Sequence, residues 1–295
     1  MSQLRMPRRS FLGAAGTSIL AASGGPALPT VALGAKRITR LIAGANPVNG
    51  GSHSTPRLSE TMLRYFTLER TVEFLLHCER QGINTWQSSY NPKVRDALLR
   101  VREQGSKLQF ICLCPTARGE DVLQDVLALK PLAVVHHGSV TDRLFQTGNA
   151  QRVHDFIKRV HDLGVMAGMS THNPNHLARA EDSGWETDLY MTCVYNVTRT
   201  PEELEKMMGD QPVDELFLQG DPARMLKRVR EIRKPCLAFK ILAAGRVCGS
   251  PKSVDKAFAF VYSNIKPTDS VIVGMYPVYS DEVAEDAEYA RKYGA

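Results

Sequence analysis

The sequence predicts an α/β protein built as one (β/α)8 TIM barrel over residues 36–295. From residue 38 onward, short apolar runs alternate with amphipathic segments, the pattern of βαβ units around a parallel sheet. There are eight of each, enough to close a barrel of roughly 250 residues. Several runs are apolar almost throughout, as strands covered on both faces must be.

The strand candidates, in order, are 38–45, 83–88, 108–114, 132–136, 165–170, 189–195, 236–242 and 270–275. Helix candidates follow them at 68–81, 93–103, 122–129, 151–163, 175–182, 224–232, 253–263 and 280–293. Asn91-Pro92, Asn173-Pro174 and Ser250-Pro251 each set a capping side chain before a proline suited to the first helical turn. Gly82, Gly105, Gly164 and Gly184 are placed to close helices. Two connections, 46–67 and 196–222, exceed the usual length, and such loops in a barrel wall or cover the active face.

Before the barrel, residues 1–35 read as a cleavable leader. Pro7-Arg8-Arg9-Ser10-Phe11-Leu12-Gly13 resembles the twin-arginine consensus, and a weakly hydrophobic run follows, broken by Gly24, Gly25 and Pro26. That run is too poor in large residues to hold a bilayer stably, so no lasting membrane insertion is expected. The expected partner of the leader is the twin-arginine translocation machinery, with the mature protein periplasmic or extracellular. Ala27, Ala32 and Ala35 are alternative cleavage points. Arg5, Arg8 and Arg9 carry three of the six net positive charges and 1–35 contains no acid, so the remainder carries +3. A domain so near neutrality has no electrostatic footprint for nucleic acid. Of the six cysteines, Cys112 and Cys114 share one strand face, and Cys78, Cys193 and Cys236 sit in apolar runs. Buried thiols are expected rather than disulfides, and without a CxxC pair there is no sign of a structural metal or iron–sulfur site.

In such barrels the functional residues gather at the C-terminal strand ends. Those ends are rich in polar groups: Asn46, then Gln87 and Tyr90, then His136 and His137. Ser170, His172 and Asn173 follow on the fifth strand, Asn196 on the sixth, Lys240 on the seventh and Gly274 on the eighth. Polar groups pointing into an apolar barrel need partners or a ligand. The expected catalytic set is Tyr90, His136, His137, His172 and Lys240. Asn46, Gln87, Asn173 and Asn196 are the expected substrate contacts.

At these positions the chain resembles the aldo/keto reductase superfamily. The likeness rests on Gly82-Ile83-Asn84-Thr85-Trp86-Gln87-Ser88-Ser89-Tyr90, Val134-Val135-His136-His137-Gly138 and Val165-Met166-Ala167-Gly168-Met169-Ser170. It continues through Ala238-Phe239-Lys240-Ile241-Leu242-Ala243-Ala244-Gly245-Arg246 and Val271-Ile272-Val273-Gly274-Met275. The resemblance implies a small carbonyl or sugar-type substrate and NADP, with Ser170 on the nicotinamide amide, Gly274 beside the cofactor, and Arg246 and Ser280 near phosphate. The chain also departs from the family's Asp, Tyr, Lys and His set. Gln87 stands at the aspartate position, Tyr90 follows at a shorter spacing, and Phe110-Ile111-Cys112-Leu113-Cys114-Pro115 contains no lysine. Without that lysine and aspartate, nothing remains to tune a tyrosine as general acid. Thr171 replaces the usual asparagine, and the sixth-strand glutamine is absent from Thr192-Cys193-Val194-Tyr195.

Two functional readings follow. One is a divergent NADP-dependent oxidoreductase. The other is a non-redox lyase, isomerase or hydrolase of sugar-like substrates, with histidines and Lys240 as acid, base or electrophile, or with histidines holding a divalent metal.

Overall fold

A computed structural model describes residues 26–114 and 122–295. The Arg8-Arg9 motif of the expected leader lies outside the described residues.

A β-hairpin comes first. β1 (Thr30–Leu33) pairs antiparallel with β2 (Lys36–Thr39) around Gly34, whose φ of +56° suits glycine. The expected first strand, 38–45, is therefore two segments: its start belongs to the hairpin, and only β3 (Leu41–Gly44) enters the barrel. The hairpin also crosses the expected leader boundary, because Thr30–Leu33 is folded together with residues beyond 35.

The barrel continues with β4 (Thr85–Ser89), β5 (Gln109–Cys114), β6 (Ala133–His136), β7 (Met166–Thr171), β8 (Leu189–Cys193), β9 (Cys236–Phe239) and β10 (Ser270–Gly274). All eight pair in parallel and in chain order, and β10 closes onto β3. Alternate residues point inward. Ile42, Ile111, Val135, Leu189, Met191, Leu237 and Ile272 fill the interior, and Val31, Leu33 and Ile38 of the hairpin join that cluster. The opposite strand faces build a larger apolar layer against the helices.

The eight expected helices appear as α2 (Leu68–Arg80), α3 (Pro92–Glu103), α4 (Leu123–Ala128), α6 (Gln151–Asp162), α7 (Pro174–Asp182), α9 (Asp221–Glu231), α10 (Pro251–Tyr262) and α11 (Glu282–Tyr293). The side chains of Asn91, Asn173 and Ser250 cap α3, α7 and α10 as expected. Among the described residues three further helices lie in the loops: α1 (Pro56–Tyr65), α5 (Gly138–Gln146) and α8 (Pro201–Met208). No cysteine is joined in a disulfide, and all but the exposed Cys248 are buried. No helix among the described residues is long and apolar enough to cross a membrane.

Candidate active site

At the C-terminal strand ends a cavity of about 770 Å³ opens, within the usual range for small-molecule sites. The inward alternation places Gln87 of β4, Ser170 of β7, Phe239 of β9 and Gly274 of β10 in its wall, with His137, His172 and Lys240 just beyond their strands.

One group of polar side chains is organised around Asp142 of α5, a carboxylate 1% exposed. Its Oδ2 accepts from His172 Nδ1 at 2.8 Å, from the His172 backbone N–H at 3.0 Å and from Thr198 Oγ1 at 3.2 Å. Its Oδ1 accepts from His176 Nδ1 at 2.8 Å and from Thr171 Oγ1. Burial alone would raise this carboxyl, but the hydrogen bonds from His172 and His176 outweigh it and hold the pKa well below the usual range. An ionised carboxylate can only accept, so both imidazoles carry their proton on Nδ1 toward Asp142. His172 Nε2 makes no hydrogen bond among the described residues, and this histidine lines the cavity. A carboxylate orienting an imidazole whose other nitrogen is open to substrate is the arrangement of a general base.

The second group joins the two long loops to β9. His53 Nδ1 lies 2.9 Å from Glu215 Oε1, Lys240 Nζ donates to Glu215 Oε2 at 3.1 Å, and Asn46 Nδ2 lies 3.2 Å from His53 Nε2. Burial works to raise the Glu215 carboxyl, yet the His53 hydrogen bond and the Lys240 charge bring it down to about 2. It too is acceptor-only, which puts the His53 proton on Nδ1 and lets Asn46 donate to Nε2. The Lys240 side chain is only 5% exposed. His53 and Lys240 hold φ of +52° and +59°, left-handed values costly for residues with a side chain. Such strain persists where surrounding contacts over-determine it, often at functional sites.

Of the expected site residues, the cavity brings together Asn46, Gln87, His137, Ser170, His172, Lys240, Gly274 and Ser280. Five others lie elsewhere. His136 is on the outward phase of β6, hydrogen-bonded through Nδ1 to Thr141 Oγ1 at 2.7 Å and set edge-on to Phe156 of α6. Tyr90 packs against the outer apolar layer. Asn173 caps α7, accepting from the Asn175 N–H. Asn196 is turned into its own loop, where its Oδ1 accepts from the Thr198 N–H. Arg246 donates to the His53 carbonyl at 2.8 Å and lies over the Phe217 ring, so it braces the loop. The sequence reading missed His53, Asp142, Thr198 and Glu215. Three of these sit in the two long connections already marked as walls of the active face.

Among the described residues no group of three or more His, Cys, Asp or Glu side chains is placed to hold a metal ion.

No family model matches the chain, and no curated protein matches it. Solved structures do. The apo form of Gox0644 is similar at a TM-score of 0.53 and 11% identity, covering 92% of this chain and 95% of that one. The glycerol dehydrogenase AKR11B4 from Gluconobacter oxydans is similar at a TM-score of 0.50 and 10% identity, covering 90% of each. At such identities the likeness shows the barrel fold and nothing finer.

Proposed function

We propose that this barrel is a non-redox acid–base catalyst that moves a proton beside the carbonyl of a small polyhydroxy substrate, as a keto-sugar isomerase or lyase does. The observation that carries the reading is the Asp142–His172 pair, with Nε2 open, in one cavity with Lys240. His172 Nε2 takes the proton from the carbon next to the carbonyl. The C–H electron pair moves into the new carbon–carbon double bond, and the carbonyl oxygen becomes an enolate oxygen that the Lys240 ammonium stabilises. Return of the proton to the former carbonyl carbon, while the hydroxyl proton on the carbon that lost it passes to the enolate oxygen and that carbon becomes the new carbonyl, completes an isomerisation. Alternatively the enolate re-forms its carbonyl and expels a hydroxyl from the next carbon with the C–O electron pair, and that hydroxyl leaves as water with the proton held by His172. Neutral polar residues on the wall, Asn46, Gln87, Ser52 and Ser139, suit hydroxyl groups.

The residues present do not fit NADP. Arg246 is bound to the His53 carbonyl, and Ser280 Oγ donates to Glu285. Glu282, Glu285 and Asp286 line the cavity where a phosphate-bearing arm would need positive charge, and among the described lining residues four acids face a single lysine.

Deuterium uptake from heavy water into keto-sugars, followed by NMR with no nucleotide added, tests the proposal. Exchange is expected, and His172→Ala and Asp142→Asn should each lower it by roughly 10²–10⁴-fold, the usual worth of general acid–base help. NADPH titration should show no binding at about millimolar nucleotide, which corresponds to only about −4 kcal/mol. Micromolar NADPH affinity, or exchange insensitive to both substitutions, would overturn the reading.

A further inference from the structure

We infer that the outer arm of the cavity, between the start of α10 and the first turns of α11, is a subsite for an organic cation, a protonated amine or guanidinium carried by the substrate. This deepens the preceding proposal and rests on it for the identity of the site, though not for its measurement.

The arm is lined by Glu282, Glu285 and Asp286 together with Tyr276, Tyr279 and Tyr289. Glu282 and Glu285 alone would mean little, since acids in the first turn are an ordinary complement to the helix dipole. Both also have local partners, the Tyr276 backbone N–H on Glu282 and Ser280 Oγ on Glu285. Asp286 is the independent observation. It lies a turn beyond Glu282, next to Glu285, is 5% exposed, faces the cavity, and makes no hydrogen bond or ion pair among the described residues. Buried carboxyls are almost always paired, so an unpaired one opening on a cavity marks a missing partner.

Among the described residues, the protein's own cations do not supply that partner. Lys292 is taken by Asp255, Arg291 by Glu288 and Lys240 by Glu215, while Lys252 and Lys256 of α10 are exposed and outside the lining. Burial, with Glu282 and Glu285 beside it, holds the Asp286 pKa well above the carboxylate range, the condition an incoming cation would relieve. A bare metal ion is a poor candidate, because the described residues offer no suitable donor group. An organic cation fits better, since tyrosine faces attract ammonium and guanidinium groups. Tyr279, 92% exposed at the rim, presents such a face.

The test is calorimetric titration of the full protein at about pH 8 and low salt with agmatine and 1,4-diaminobutane, using 1,4-butanediol as the neutral counterpart. Both cations should bind at least about tenfold more tightly than the diol. Asp286→Asn should weaken them about tenfold, and raising salt to about 0.5 M should do likewise, because the attraction is screened. Glu285→Gln, at an exposed position, repeats the test should Asp286→Asn not fold. His172→Ala, silent in deuterium exchange, should bind the cations unchanged, so failure of the catalytic reading and failure of this one are read separately. Equal binding of the diol, salt-independent binding, or unchanged affinity in the carboxyl variants would overturn the inference.

Discussion

His136 and His137 are adjacent in sequence and have opposite environments, because side chains on a strand alternate between faces. Val135 is in the barrel interior, so His137 returns to the cavity side while His136 goes to the helical layer. Sequence alone could not choose between them without the register, which the inward-facing cluster supplies. Burial pushes the His136 pKa down to about 4, with the charges of His137 and Arg152 adding to the effect. The unfolded chain takes up this proton below about 6.5, whereas the folded protein refuses it until about pH 4. Within that window the unfolded state binds more protons, so stability is full above the window and falls as pH falls through it. Two or more pKa units at so buried a site correspond to roughly 3 kcal/mol. Thermal unfolding from pH 7.5 to 4 should show a loss that His136→Gln reduces, with catalysis at neutral pH unchanged. An identical pH profile in the variant would show that other groups govern the acid limb. The residues legible from sequence were those at or just beyond the strand ends, such as Gln87, His172 and Lys240. His53, Glu215 and Asp142 were not legible, because their role exists only through partners far away in the chain.

At the scale of elements, the same alternation of apolar runs and amphipathic segments made all eight barrel strands and their eight outer helices readable. The helices that escaped are those with little core face: α8 buries no residue and α1 buries only Met62. Without a buried stripe there is no hydrophobic period to read. α5 is different, with a well-buried face, but it starts immediately after a strand end and opens on Gly138, which reads as a turn. That helix delivers Asp142 to His172, and its first residue sets how closely the two elements meet. A Cβ at Gly138 would come within 2.9 Å of both His172 Cε1 and Ser170 Oγ. Gly138→Ala should therefore push the imidazole off its position even though alanine favours helix. A displacement near 1 Å at a catalytic group costs up to about 100-fold in rate. The expected result is a 10–100-fold loss of deuterium exchange, by the same estimate, with the melting temperature lowered by only a few degrees. Unchanged exchange would mean that His172 is not the base or that the helix yields freely.

For the molecule as a whole, the decisive contact is between its first described residues and the bottom of the barrel. Val31, Leu33 and Ile38 complete the interior cluster at the end opposite the cavity, and Leu28 is buried in the outer layer. Arg291 of the last helix donates to the Pro26 carbonyl, tying the segment to the C-terminal end of the chain. A leader cut after Ala32 or Ala35 would divide the hairpin or remove β1, whereas a cut after Ala27 leaves it whole. If the twin-arginine reading of the leader holds, the exported protein should begin at residue 28 or earlier, which intact-mass spectrometry decides. The physical cost can be measured without export. Burying Val31 and Leu33 contributes roughly 1.5–3 kcal/mol each, and removing β1 also exposes the apolar floor that they cover. A loss of about 5 kcal/mol is a large share of the 5–15 kcal/mol typical of a folded domain. At roughly 2–4 °C per kcal/mol for a chain of this size, it should lower the melting temperature by about 10–20 °C. A chain starting at residue 36 should therefore melt far below one starting at residue 26, or be recovered only as aggregate. Equal melting temperatures would show that the hairpin covers the barrel without stabilising it.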